Sequence, residues 1–304
     1  MRIPARKISL FVGLVIALTS CSSSQSTVPT ISTASALSIT GSETPAAHRV
    51  VALANGSAEI ISALGWKSAI VGRDIASTYK HLAAIPIVTS GHQVIPEKIL
   101  SLNPDLVLID ASTGPAQAIA TLKSAGIKVV SISEAWKLSD IHQKIVDIAS
   151  ALAIPNSGAA LSDAISTHLQ SLPTVPTGTR IAFLYLRGGS AIYLLGGKGS
   201  GADSLIAAIG AIDAGAELLA QPFTAITSEE LIKAKPDLIL VMTKGLESVG
   251  GVDGLIKLPG IMQTPAGKNR RVIAVDDSLL LSFGPRTPSL LQELSRTVSD
   301  VMKK

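Results

Sequence analysis

The stretch IPEKILSLNPDLVLI, from Ile95 to Ile109, returns in altered form as TSEELIKAKPDLILV, from Thr227 to Val241. Each copy carries an acid (Glu97, Glu229), an apolar pair just beyond it (Ile99 and Leu100; Leu231 and Ile232), a Pro-Asp pair (Pro104 and Asp105; Pro236 and Asp237) and a run of branched apolar residues. A shared register of this length exceeds what composition produces, so the chain is built from two related halves. Its 304 residues suffice for two domains of ordinary size, each with its own core. Apolar residues make up 47% and charged residues 16%, which excludes disorder and leaves room for strands buried on both faces. The net charge of +4 comes partly from the N-terminus, and no Lys/Arg run is interleaved with aromatics. A nucleic-acid surface is therefore not expected.

Arg2, Arg6 and Lys7 precede the apolar stretch ISLFVGLVIAL, which has the length of a secretory h-region rather than of a membrane span. It is followed by LTSC, which holds Cys21, the one cysteine of the chain. That tetrapeptide resembles the bacterial lipobox, whose cysteine becomes the lipidated first residue of the mature protein. The reading is residues 1–20 as signal peptide and Cys21 as lipid anchor. Residues 21–47, rich in Ser, Thr, Ala and Pro, are expected to form a flexible tether.

Strand and helix signals then alternate. RVVALA (Arg49–Ala54), AIVGR (Ala69–Arg73), DLVLID (Asp105–Asp110) and KVVSIS (Lys128–Ser133) read as strands, with helical segments between them. The amphipathic stretches Leu138–Leu152 and Gly158–Leu172 follow. A second series contains RIAFLYLR (Arg180–Arg187), AIYLLG (Ala191–Gly196), VIAVDD (Val272–Asp277) and a terminal helix over Thr287–Met302. The expected fold is α/β, with two Rossmann-like lobes of parallel sheet joined by a helical connector. Its bounds are 48–153 for the N-terminal lobe, 154–177 for the connector and 178–304 for the C-terminal lobe. A helical connector predicts a small hinge motion rather than wide closure. Glu97 and Glu229 fall at matching points, each at the start of a short helix, where the helix dipole favours an acid. Ser228 is the expected cap of the second helix.

With SAEIISALG opening the first lobe and PEKILSLNPDLVL within it, residues 48–304 resemble the class III substrate-binding proteins of ABC importers. These carry haem, ferric siderophores or cobalamin. The resemblance implies that Glu97 and Glu229 dock onto a membrane permease, one from each lobe. FLYLRG, GKGSGADSLIAAIG, VMTKGLESVGGVDGL, TPAGKNRRVIAVDD and SFGPRTP are together similar to the haem-binding lipoproteins of Gram-positive haem importers. That similarity implies haem b as transported ligand, its iron held between His92 and Tyr185. Arg187 would support the tyrosine and Met242 would lie nearby. Tyr185 and Arg187 sit at the carboxyl end of a predicted strand, where open α/β sheets place ligands. Residues two apart on a strand share a face, and a positive neighbour favours the phenolate that ligates ferric iron.

Other readings stay open for several residues. Tyr79, in STYKHL, is the rival ligand or a cleft residue, because Gram-negative relatives place their ligating Tyr in a similar context; Lys80 and His81 replace the Pro found there. His92 has the bland alternative of a solvated loop residue, and His142 and His168 fall on amphipathic helices where a structural role suits them. Tyr193 and Trp136 read as core or rim. GGKGSG lacks the spacing of a phosphate loop. No G-x-S-x-G elbow or H-E-x-x-H helix is present, so an exported enzyme is the disfavoured class. A ferric-siderophore or cobalamin carrier is the alternative within the same fold. The expected partners are haem, an ABC permease with its ATPase, and the cell membrane through Cys21, with an upstream surface haem-binding protein as a further candidate. The protein is expected to be a monomer, extracytoplasmic and lipid-anchored.

Overall fold

The computed structural model describes residues 28–32, 34–41, 43–91, 93–186, 188 and 193–303. The signal segment, Cys21, His92 and Arg187 therefore lie outside the described residues. In chain order the strands are β1 (Thr30–Ile31), β2 (Val50–Ala52), β3 (Ile70–Arg73), β4 (Thr89–Ser90), β5 (Gln93–Val94), β6 (Leu106–Ile109), β7 (Lys128–Ser131), β8 (Arg180–Leu186), β9 (Tyr193–Gly196), β10 (Ile212–Asp213), β11 (Phe223–Ala225), β12 (Leu238–Met242) and β13 (Val272–Val275). They form a parallel sheet of order β3-β2-β6-β7 and a mixed sheet of order β1-β13-β12-β8-β9-β11, with β10 beside β8. A short antiparallel pair, β4 and β5, lies apart.

Alternation along the inner strands explains why both of their faces are apolar. Val50, Ala52, Leu106 and Leu108 point into a core that also holds Ile181, Phe183, Leu240 and Ile273 of the second lobe. Their neighbours Val51, Leu53 and Val107 face the outer layer of the first lobe. Ala182, Leu184 and Val241 face the outer layer of the second. Side chains two apart share a face, so each sheet turns one face outward to its own helices and the other toward a core common to both lobes. The helices Asp140–Leu152 and Pro155–Leu169 pack together beside that core. Gly158 makes their approach possible, since a Cβ there would lie 2.4 Å from Ala149 Cβ.

The Pro-Asp part of the repeat has a structural meaning. Asp105 accepts hydrogen bonds from the backbone N–H groups of His48 and Arg49, while the Arg49 guanidinium donates to the carbonyls of Leu102 and Asn103. In the second lobe Asp237 accepts from Arg180 N–H, and the Arg180 guanidinium donates to Ala234 O. Each Asp thus pins the start of its lobe's leading strand to the end of the repeat helix, and each Arg closes that helix's free carbonyls.

Three local expectations change. Of the span 21–47, read as tether, the described residues 28–32, 34–41 and 43–47 run along the body: β1 extends the second sheet beside β13, Leu37 N–H donates to Pro285 O and Ile39 N–H to Ala63 O. Glu43 caps the connector helix by accepting from Ser157 N–H at 2.7 Å and Asn156 N–H at 3.3 Å. Those backbone bonds act together with apolar anchors, since Ile31 is buried and Ala34, Leu37 and Ile39 pack against the core. Next, β9 runs antiparallel to β8, because the segment 187–192 is too short for the crossover that parallel neighbours need. Finally, Thr227 rather than Ser228 caps the helix Ser228–Ala234, in a reciprocal capping box with Glu230.

Candidate functional site

Between the lobes lies a cavity of about 300 Å³, at the lower end of the size range of small-molecule pockets. Its walls come from the carboxyl ends of the strands. Asn55 follows β2, Asp74 follows β3, Asp110 follows β6 and Trp136 follows β7; Tyr185 lies near the end of β8, Met242 ends β12 and Asp277 follows β13. Two sheets whose strand ends converge on one crevice make a ligand site of the kind open α/β folds use.

Tyr185 and Met242 occur in strand phases that direct them to the shared core, and both pack partly buried against it. The Tyr185 ring lies 5.6 Å from that of Phe223, so its plane is fixed from behind by β11. Tyr193, eight residues further, has the opposite fate: it is buried in the outer layer and donates its hydroxyl to Pro259 O at 2.6 Å, a structural role. Tyr79 does not line this cavity. It borders a narrow neighbouring crevice, with the Arg286 guanidinium 4.4 Å over its ring centroid and His81 against its side. His142, on the helix Asp140–Leu152, pairs with Ser162 Oγ at 2.7 Å, and His168, on the connector helix Pro155–Leu169, with Ala164 O at 2.8 Å. His92 and Arg187 fall outside the described residues.

Four carboxylates, Asp74, Asp110, Glu134 and Asp277, line the cavity with one described cation, Lys144. An anionic ligand would meet repulsion if those acids faced it unengaged, but each accepts from the protein. Asp110 takes Asn55 N–H at 2.7 Å, together with both the N–H and hydroxyl of Ser112 and the Thr113 hydroxyl. Asp277 takes Lys244 N–H at 3.0 Å, and Glu134 takes the Trp136 indole N–H at 3.1 Å. Asp74 accepts from Ala76 N–H and the Ser77 hydroxyl, and burial raises its pKa above the usual carboxylate value. The acids shape strand-end loops, Asp74, Asp110 and Glu134 in the N-terminal lobe and Asp277 in the C-terminal lobe, rather than forming a cation cage. Among the described residues no group of three or more His, Cys, Asp or Glu is arranged to hold a metal ion directly.

In part within the cavity wall itself, the lobes are fastened by groups that the sequence did not single out. Lys144 Nζ, on the helix before the connector, donates to Ser282 O at 2.8 Å, and Asn55 Nδ2 donates to Leu281 O at 3.0 Å. Glu59 and Arg286, 227 positions apart, form a buried ion pair at 2.7 Å, with the Arg286 N–H on the second carboxylate oxygen at 3.2 Å. All three bonds land on one short segment, Leu281–Arg286. The Gly-rich turn after β9 is engaged internally: Asp203 accepts from Gly199 and Gly201 N–H. Those amides are not presented to a phosphate.

Glu97 and Glu229 are exposed in the first turns of their helices. Neither makes an ion pair or side-chain hydrogen bond with another described residue. The neighbouring Glu230 is consumed by the capping box, so helix formation accounts for Glu230 and leaves Glu229 without a local structural task.

Two α/β lobes fastened at their base, with strand ends facing a crevice, define a ligand-binding protein of the two-lobed kind. The pattern of the periplasmic binding protein family matches residues 50–279, and the chain belongs to that family, as a class III substrate-binding protein. Among solved structures it is similar to the periplasmic haem-binding protein RhuT from Roseiflexus sp. RS-1 in apo form. The identity is 37%, the TM-score 0.78, and the match covers 84% of this chain and 98% of that one. It is also similar to the haem-binding protein HmuT, at 31% identity and TM-score 0.77 over 89% of this chain and 97% of that one. Among curated sequences it is 28% identical over 257 residues to an uncharacterised ABC transporter substrate-binding lipoprotein, YvrC, of Bacillus subtilis; that match covers 82% of this chain and 79% of the relative.

Proposed function

We propose that the protein is an extracytoplasmic haem receptor that carries haem b between its lobes to an ABC permease and its ATPase. The observation that carries this reading is a tyrosine in the wall of the interlobe cavity, near the carboxyl end of β8, braced from behind by Phe223. Its phenolate oxygen is the proposed ferric ligand from the C-terminal lobe. His92 is the proposed axial ligand from the N-terminal lobe, Arg187 the cation that favours the phenolate, and Met242 an apolar contact beside the ring. The 30–37% identity to solved haem-binding proteins supports haem over other cargoes of this fold. Cys21 is the proposed lipid attachment, and the two free acids Glu97 and Glu229 are the proposed permease contacts. No bond in the cargo is made or broken, so the chemistry is coordination and release.

Titrating the purified chain with ferric haem tests this directly. A stoichiometric Soret shift is expected, with a tyrosinate-type charge-transfer band that disappears in Tyr185→Phe while Tyr79→Phe leaves the spectrum unchanged. Absence of any spectral shift, together with binding of a ferric siderophore or of cobalamin, would replace haem with that cargo.

A further inference from the structure

The cavity's N-terminal wall presents a feature that iron coordination does not use. Trp136 is 39% exposed, yet it belongs to a loop whose flanking residues Ile132 and Ala135 are buried. The chain holds only two tryptophans, and the other, Trp66, packs against the core. A tryptophan kept for stability buries its ring; here the ring is left partly open at the cavity it lines.

The loop is held so that this exposure is fixed. Asp140 Oδ2 accepts from the backbone N–H of Trp136 at 3.1 Å and of Lys137 at 3.0 Å. Leu138 N–H donates across the lobe boundary to Ser204 Oγ at 3.1 Å. The indole N–H is tied to Glu134, which satisfies the ring's polar edge and sets its rotation. What the cavity meets is ring surface whose polar edge is already paired and whose rotation is restrained, so a flat ligand would stack on it with little further loss of side-chain freedom.

We propose that Trp136 is a specificity-determining residue, the stacking platform for the flat macrocycle of a tetrapyrrole on the N-lobe side of the cleft. This rests on the haem reading above for its ligand and adds to it a contact independent of the iron. The platform selects for a planar π-surface, while Tyr185 selects for the metal. A puckered or bulky-faced ligand gains from neither.

Metal-free protoporphyrin IX separates the two contributions, because it offers the plane without the iron. Fluorescence titration of the full chain is expected to show that Trp136→Ala weakens protoporphyrin binding by about tenfold, the size of a buried aromatic contact, and that Trp136→Phe restores it to within about threefold. With ferric haem, Trp136→Ala should keep the wild-type Soret position, since the axial ligands remain, and lose affinity alone; its melting temperature should match wild type. Should the alanine variant not fold, Trp136→Leu against Trp136→Phe reads the same contrast between apolar bulk and a plane. Protoporphyrin affinity unchanged in a folded alanine variant, or equal in the Trp136→Leu and Trp136→Phe variants, overturns the assignment of Trp136 while leaving haem binding intact. Wild-type protein that takes up neither haem nor protoporphyrin overturns both readings together.

Discussion

Lys144 shows how far a single side chain can depart from what its sequence position suggests. It lies on the amphipathic helix Asp140–Leu152, where a lysine ordinarily faces water, yet it is buried and holds a carbonyl of the other lobe. Burial pushes its pKa down to about 8 from the 10.5 of a free lysine, and the carboxylates of Glu59, Asp110 and Glu134 limit the fall. Between those values the unfolded chain binds more protons than the folded one, so the unfolding free energy rises with pH across that window. The contribution from this one group is on the order of 3 kcal/mol between pH 8 and 10.5. Denaturant unfolding of wild type and Lys144→Met at a series of pH values should therefore show the difference between them shifting in favour of wild type as pH increases. A difference that stays flat from pH 7.5 to 10.5 would mean that the folded state does not perturb this lysine.

At the scale of elements, the fastening between lobes depends on the pair that joins the helix Ser57–Ala63 to the segment before the C-terminal helix Thr287–Met302. Arg286 has both oxygens of Glu59 and the Ser278 carbonyl as partners. Removing Glu59 alone leaves a buried guanidinium without its counter-ion, so Glu59→Ala is expected to cost about 3–5 kcal/mol of stability, while a Glu59→Met, Arg286→Met double replacement should cost far less. Thermal denaturation of the three proteins would decide; equal losses in single and double variants would mean that packing, not charge, dominates there. This pair also marks the boundary of what the sequence discloses. Strands such as Asp105–Asp110 were legible because burial on both faces writes a continuous apolar run, and the shared repeat fixed their place in each lobe. The Glu59–Arg286 contact, like the clasps of Asp105 on Arg49 and Asp237 on Arg180, joins residues tens to hundreds of positions apart. Local periodicity carries no trace of such partners. Tyr185 is picked out by the resemblance of its Tyr-x-Arg pattern, and strand phase, a local property, agrees with its place in the cavity wall; the exposure of Trp136 has no such signal, because loop residues have no phase.

For the whole molecule, the N-terminal segment acts as a strap: β1 belongs to the C-terminal lobe, Ile39 bonds the N-terminal lobe, and Glu43 caps the connector. With the Lys144, Asn55 and Glu59 bonds converging on Leu281–Arg286, opening the cleft widely would break several bonds at once, including a buried ion pair. Solution scattering from the free and haem-loaded chain should accordingly superimpose, whereas a marked contraction on loading would show that the strap does not hold. A body held in this way is not expected to signal its loading by wide closure, so the proposed recognition by a permease would rest on surfaces presented by both lobes at a nearly fixed separation. Glu97 and Glu229 meet that requirement: each is exposed, each starts the repeated helix of its own lobe, and neither lines the described cavity. Reversing both charges, Glu97→Lys with Glu229→Lys, should leave the haem titration unchanged while abolishing stimulation of the transporter's ATPase in reconstituted vesicles, and each single reversal should give an intermediate loss because one lobe still docks. Full stimulation by the double variant would exclude these acids from the contact, and loss of haem binding in the same variant would show that the two sites are coupled through the lobes.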